Sequence, residues 1–170
     1  MSASFKPGDD VVHPIHGPGT VTAVQLRDTP EGPVEYVSMQ VDGMTIMIPR
    51  TELEGIGVRD PISSDEAHAI LQLLAEDPLS DPGHAARRRR NQSRLVGGDA
   101  EALAQIVRSL RTLKAGRDKA LPMHDTNHLR LATDQLVGEL AIAMEVSRDE
   151  AAKLVEAAVL SSIDSGQDQA

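Results

Sequence analysis

Two hydrophobic spacings divide the chain. Up to about residue 60, short apolar and β-branched runs are punctuated by Gly8, Pro14, Gly17, Pro18, Gly19, Pro30, Gly32, Pro33, Gly43 and Pro49. The runs are Asp10-Val11-Val12-His13, Thr20 to Leu26, Val34 to Val41 and Met44 to Ile48. In Thr20-Val21-Thr22-Ala23-Val24 the apolar positions alternate, as a half-buried strand requires. Asp42-Gly43 lies between two such runs and signals a two-residue hairpin. His16-Gly17-Pro18-Gly19 joins two runs and is expected to be a tight turn, since no helix follows it. Four or five short strands in sixty residues predict a small barrel, with too few residues to enclose a substrate cavity.

From Ile62 the period changes to that of a helix. Ser63 and Glu66 form a capping box, followed by Ala67, Ile70, Leu71 and Leu74 on one stripe. Pro78 and Asp81-Pro82-Gly83 end that helix. A basic helix is expected over 85–95, closed by Gly97-Gly98. Asp99 caps a third helix, with Leu103, Ile106, Val107 and Leu110 inward, running to about Ala115. After a loop over 116–123, a fourth helix starts at Asp125 or Thr126, with the stripe Leu129, Leu136, Leu140, Met144. A second capping box, Ser147 with Glu150, opens a last helix through Ile163, and the polar tail from Asp164 is expected to fray. The fold class is therefore α+β. An SH3-like or Tudor-like β-barrel covers 1–60, an all-α helical bundle covers 61–165, and 166–170 form a disordered tail.

Composition narrows the function. With no cysteine there is no disulfide framework and no Cys-based zinc site. The first residues lack a signal peptide's apolar core, and no apolar run nears the roughly 18 residues that span a bilayer, so a cytoplasmic protein without membrane contact is expected. Phe5 and Tyr36 are the only aromatic rings besides the histidines, which leaves no stacking platforms for single-stranded nucleic acid. The net charge of −9 opposes general attraction to DNA, but it is segregated. Between Pro82 and Lys119 lie ten basic residues against three acids, a local net of +7, which leaves the rest of the chain at −16. Such segregation marks interaction surfaces, although a solvated basic face has the same composition.

Catalytic patterns are missing. There is no nucleophile elbow, no phosphate-binding glycine loop and no dinucleotide fingerprint. His13 and His16 flank a proline, and His124 and His128 share one helix face without an evident third ligand, so surface or capping roles outweigh metal binding. No catalytic residue, metal site or cofactor is expected; the chain reads as a binding protein and not an enzyme. Its chief chemical feature is Arg87-Arg88-Arg89-Arg90 with Arg94. At about 100° per residue, four consecutive arginines encircle a helix and cannot all serve one internal ion pair. They suit phosphate or an acidic protein surface.

The stretch from Phe5 to Gly19, with Gly8-Asp9, Val11-Val12-His13-Pro14 and His16-Gly17, resembles the opening of the CarD/CdnL transcription regulators, a module also found in the transcription-repair coupling factor. The likeness continues through Tyr36, Ile46-Met47-Ile48-Pro49 and Gly57-Val58-Arg59. In the helical half it includes Asp81-Pro82, Gly98-Asp99 and Leu136 to Ala141. This resemblance implies that the β-module binds the RNA polymerase β subunit by strand pairing, involving Thr45, Ile46 and Met47, with Arg27 at a polymerase-contacting position. It implies that the helical domain contacts promoter DNA at the upstream edge of the open −10 region, with Ala85, Arg87, Arg88, Arg89, Arg90, Arg94 and Arg130 as the candidate positions. The chain departs from the pattern in two places. Ala85 stands where relatives carry a wedging tryptophan, and Met47 where a second docking arginine is usual. A monomeric regulator, drawn to the nucleoid through polymerase, is the resulting expectation. The alternative is a protein–protein adaptor of the same fold that never touches DNA.

Overall fold

The computed structural model describes residues 4–167. Its contacts divide the chain after Pro61 into two compact units, each with its own hydrophobic core.

The first unit is a four-stranded antiparallel sheet in sequential order, curled into a half-barrel. The strands are β1 (Asp10–His13), β2 (Gly17–Thr29), β3 (Gly32–Val41) and β4 (Met44–Pro49). Asp42 and Gly43, both at positive φ, connect β3 to β4 as the expected two-residue turn, with Val41 facing Met44. Register shifts between Val21 and Ala23, a bulge that bends β2 and helps the sheet curl. Phe5, Val11, Val21, Val37, Met39, Val41 and Ile48 fill the concave side. The core is completed by Leu53 and Val58, which lie beyond the last of the expected strand runs. Leu53 belongs to a one-turn helix, α1 (Leu53–Ile56), entered through a 3-10 turn at Arg50–Glu52 and closed by Gly57 at positive φ.

The tight turn lies earlier than expected. It comprises Pro14, Ile15 and His16, while Pro18 and Gly19 are already strand residues. Its organiser is His13, a buried ring whose Nδ1 accepts the backbone N–H of Ile15 (3.2 Å) and of His16 (3.3 Å). Both bonds need a neutral imidazole nitrogen. Gly19 is there for space. It pairs with Val11 on one side and Val41 on the other, and a Cβ would lie 2.3 Å from the Gln40 carbonyl oxygen.

The second unit has five helices: α2 (Ser64–Ala75), α3 (His84–Gly97), α4 (Ala100–Ala115), α5 (Met123–Ala143) and α6 (Arg148–Gln167). Both predicted capping boxes form, at Ser63/Glu66 and at Ser147/Glu150, and Asp99 caps α4. The predicted stripes are inward: Ala67, Ile70 and Leu74 of α2 meet Leu103, Ile106, Val107 and Leu110 of α4, with Leu136 and Leu140 of α5. Side chains from other helices close the C-terminal end of α2. Arg108 donates to the Leu73 carbonyl (2.9 Å) and Ser162 to that of Glu76 (2.9 Å). Two boundaries differ from expectation. α5 begins at Met123, after Pro122, because Asp125 is occupied inside the bundle and caps nothing. α6 runs past Ile163 to Gln167, so the tail expected from Asp164 is helical that far, and the rest of it (168–170) lies outside the described residues.

Substitution Gly19→Val should destabilise the first unit by about 1–3 kcal/mol or more, because the central ladder must open to admit the side chain. Chemical denaturation followed by far-UV dichroism would measure it, and wild-type stability in the variant would show the close approach to be unimportant.

Candidate functional site

The basic helix α3 turns its arginines to different surroundings. Arg87 points inward and is 4% exposed. Its Nε (3.2 Å) and Nη2 (2.8 Å) donate to Oδ2 of Asp125 on α5, a residue only 1% exposed. Its Nη1 reaches both carboxylate oxygens of Asp81, at 2.8 and 2.6 Å, in the segment before α3. A fork of donors thus satisfies two acids at once, the geometry for which arginine is suited. The Asp125 hydrogen bond, ahead of those from Asp81, raises the Arg87 pKa against the cost of burial, and Arg87 in turn holds the Asp81 carboxyl below its ordinary value. Asp125 also lies in the first turn of α5, where negative charge complements the helix dipole.

This overturns the expectation that Arg87 faces phosphate: a guanidinium held by two carboxylates has no free edge to offer. Fixing Arg87 inward sends its neighbours elsewhere. Ala85, Arg88 and Arg89 share an exposed face with His84, Gln92, Ser93 and Val96. Arg90 and Arg94 are half-buried. Arg130 is exposed on α5, 3.6 Å from Asp134 one turn on. Of the seven positions expected at DNA, three lie together on one open face, and two of those are cations.

Behind Arg87 runs a polar seam that sequence reasoning missed. Asn91, one turn along, is fully buried with both amide atoms unpartnered, as are Asp125 Oδ1 and His128 Nδ1. The His128 ring faces Gln92 Oε1 at 3.3 Å. Burial, with the charges of His124 and Arg88, lowers the His128 pKa below the ordinary imidazole value, while Asp125 opposes that shift. The available signal was the spacing Arg87, Asn91, Leu95: carried back from Leu95 in steps of four, the inward stripe reaches Arg87. Among the described residues no group of three or more His, Asp or Glu side chains is placed to hold a metal ion.

The first unit offers a different surface. The outer edge of β1 is covered where Val12 exchanges backbone hydrogen bonds with Arg59, at 2.8 and 3.1 Å. β4 pairs only with β3, and among the described residues no strand covers its other edge. Ile46 and Ile48 turn toward the core, while Thr45 and Met47 face outward, the methionine 37% exposed. Thr45 donates to Gln40 Oε1 across the hairpin (2.9 Å). Arg27 is exposed on β2 opposite Val34, beyond the end of β4, so the sheet does not bring it beside Thr45, Ile46 and Met47.

An open strand edge on one unit and an exposed cationic helix face on the other are the equipment of a macromolecule-binding protein. Comparison with known proteins gives that class its family. Residues 69–156 match the CarD C-terminal domain and residues 5–60 the CarD-like/TRCF RID domain. The chain belongs to the CarD/CdnL family of transcription factors. It is similar to the candidate transcription factor YdeB of Bacillus subtilis (strain 168), at 25% identity over 150 residues, spanning 86% of this chain and 96% of that protein. No helix among the described residues is long and apolar enough to cross a membrane.

Two outcomes are expected here. Arg87→Ala strands a buried carboxylate and should cost about 3–5 kcal/mol, whereas exposed Arg89→Ala should change stability by less than about 0.5 kcal/mol. Urea melts of both variants test this, and equal effects would remove the distinction drawn between the two arginines. His128 contributes to the loss of stability on the acid side. The unfolded chain takes up a proton near pH 6.5, which the folded imidazole resists, so stability is unaffected well above that pH and falls as pH drops below it. His128→Gln should reduce the loss between pH 7.5 and 5.5, and an unchanged loss would assign it to other groups such as His13, whose pKa is also lowered by burial and by His16.

Proposed function

We propose that this protein docks on the β subunit of RNA polymerase by adding β4 to a strand of that subunit, and that the outer face of α3 then meets promoter DNA near the upstream edge of the −10 region. The observation that carries the docking reading is the asymmetry of the sheet, whose one edge is covered by Arg59 and whose other edge is open. An uncovered edge presents unpaired backbone donors and acceptors, and strand addition is the usual way they are recruited for binding. Outward side chains of β4 then set specificity, with Thr45 and Met47 in the contact. Ile46 holds the strand to the core from the other side. Arg27, beyond the end of β4, supplies a separate charged contact at the far end of the module. The match of residues 5–60 to the CarD-like/TRCF RID domain supports this assignment.

For DNA the reading rests on Arg88 and Arg89. They are exposed side by side, free of the ion pairs that occupy Arg87, and flank Ala85 on the same face. A methyl group cannot support an unstacked base step, so the contact is to the phosphate backbone, which adds affinity without reading sequence. The protein would act by binding an open promoter complex better than a closed one. It would work in the cytoplasm, at the nucleoid, as a monomer and without a catalytic step of its own.

Binding to bacterial core RNA polymerase tests the first half. Arg27→Glu and Met47→Glu, both at exposed positions, should each weaken association about tenfold or more while leaving the fold intact; wild-type affinity in both would retire the β4 interface. For the second half, promoter binding in the presence of polymerase is followed against salt. Replacing both Arg88 and Arg89 by alanine should reduce the slope of log affinity against log salt by about 2. An unchanged slope would favour an adaptor that binds polymerase and leaves DNA alone, a reading to which the net charge of −9 and Ala85 already lend weight.

A further inference from the structure

The side of α3 that faces α4 carries positive charge with little internal compensation, the nearby carboxylate of Asp81 attracting Arg90 while bonding Arg87. Arg90 and Arg94 project there beside Arg108 of α4. Arg108 is buried and has the Leu73 carbonyl and, at 3.4 Å, the exposed carboxylate of Glu76. Arg90 and Arg94 have no salt bridge among the described residues, although both are half-buried. Burial and the neighbouring Arg90 and Arg108 disfavour the charge on Arg94. Like charges crowded in a partly desolvated place destabilise one another unless an anion joins them.

Of these three arginines, Arg90 also borders an open space that could hold an anion. Between the segment preceding α3, the inner side of α3 and the end of α4 lies a cavity of about 340 Å³. Its polar lining consists mainly of hydrogen-bond donors: Arg90, Arg117, and the hydroxyls of Ser80, Ser109 and Thr112. Arg90 Nε and Thr112 Oγ1 are buried there without any partner. Asp81 also borders the cavity, but both its oxygens are taken by Arg87, which offsets its charge. Buried donors left without acceptors are costly, and a phosphate presents several acceptor oxygens that would satisfy them together. The remaining wall, with Leu79 and Leu113, is apolar. At the lower end of the size range of ligand pockets, the cavity admits a phosphate with a small organic body.

We infer that this cavity is a binding site for a small phosphate monoester, held by Arg90, Arg117 and Thr112. The site is separate from the outer face bearing Arg88 and Arg89, and it does not depend on the polymerase reading.

The full chain is titrated with inorganic phosphate and with adenosine 5′-monophosphate at fixed ionic strength, with chloride as the control anion, followed by calorimetry and thermal melting. Both phosphates should bind and raise the melting temperature, the monoester more tightly. Arg90→Gln with Thr112→Val should weaken binding at least tenfold. In phosphate-free buffer Arg90→Gln alone should melt at or above the wild-type temperature, because the repulsion relieved at Arg94 outweighs the attraction lost at Asp81; a purely structural arginine would lower it. Four results would each overturn the assignment: no phosphate binding at millimolar concentration, equal effects of chloride, a lower melting temperature for phosphate-free Arg90→Gln, or binding lost in Arg88→Gln/Arg89→Gln and kept in the Arg90 variant. If short duplex DNA displaces the monoester in an Arg90-dependent way, the cavity serves a DNA phosphate and the small-molecule assignment fails.

Discussion

The orientation of the basic helix depends on one buried charge. Arg87, gripped by Asp125 from α5 and by Asp81 from the segment before α3, sets the rotation of α3 about its own axis. Since each residue advances about 100° around a helix, one inward arginine determines where its three neighbours go. Arg88 and Arg89 are directed outward, and Arg90 toward α4. The same contact joins a loop and two helices across 38 residues of chain. Its worth lies in specificity as well as stability. A buried ion pair often gains little over a well-packed apolar contact, but it penalises any rotation that leaves one partner alone. A polar seam with unpartnered atoms at Asn91, Asp125 and His128 runs beside it. The bundle accepts that cost where α3 meets α5 and again at Arg90, Arg108 and Thr112 on the α3 and α4 side, while the core between α2, α4 and α6 is built mainly from leucine, isoleucine, valine and alanine.

The β unit solves a different problem with the same economy of aromatics. Phe5 is its one buried aromatic ring besides His13, so the core relies on valine, isoleucine and methionine packed against a closely paired sheet. Gly19 lets three strands approach where a side chain would hold them apart. One sheet edge is sealed by Arg59 and the other is left open. An open edge is ordinarily a liability, since it invites pairing with any exposed strand. Its retention next to outward Thr45 and Met47 is consistent with a module whose purpose is to be paired.

Charge is partitioned to match. The chain is acidic overall, which disfavours indiscriminate attachment to nucleic acid, and its basic residues are concentrated on α3, α4 and the segment after α4. Within α3 the cations divide again into three roles: one neutralised in the core, two solvated, and two half-buried without an ion-pair partner among the described residues. Three neighbouring arginines of identical chemistry therefore have different surroundings, and only the surroundings distinguish an anchor from a surface contact or a ligand group.

Much of this protein was legible in its sequence because the relevant physics is local. The Asp42-Gly43 turn, both capping boxes and the inward stripes of α2 and α4 all follow from interactions within a few residues, and each is present in the structure, whereas the alternation expected over Thr20–Val24 is broken by the bulge, which brings Val24 to the core with Val21. The likeness to CarD proteins rested on short motifs of the same kind. What remained hidden depends on contacts between residues distant in the chain. Asp125 resembled a helix cap because its partner lies 38 positions away. The helical turn at Leu53 was not foreseen because only the assembled sheet offers the core that rewards it. The roles of Arg87, Arg88 and Arg90 could not be separated by spacing, since a run of four arginines has no polar or apolar face of its own. The sequence by itself determined which segments form helices and strands and where most of them start and stop. The tertiary structure decided which way α3 turns, because that choice is made by a buried carboxylate on another helix.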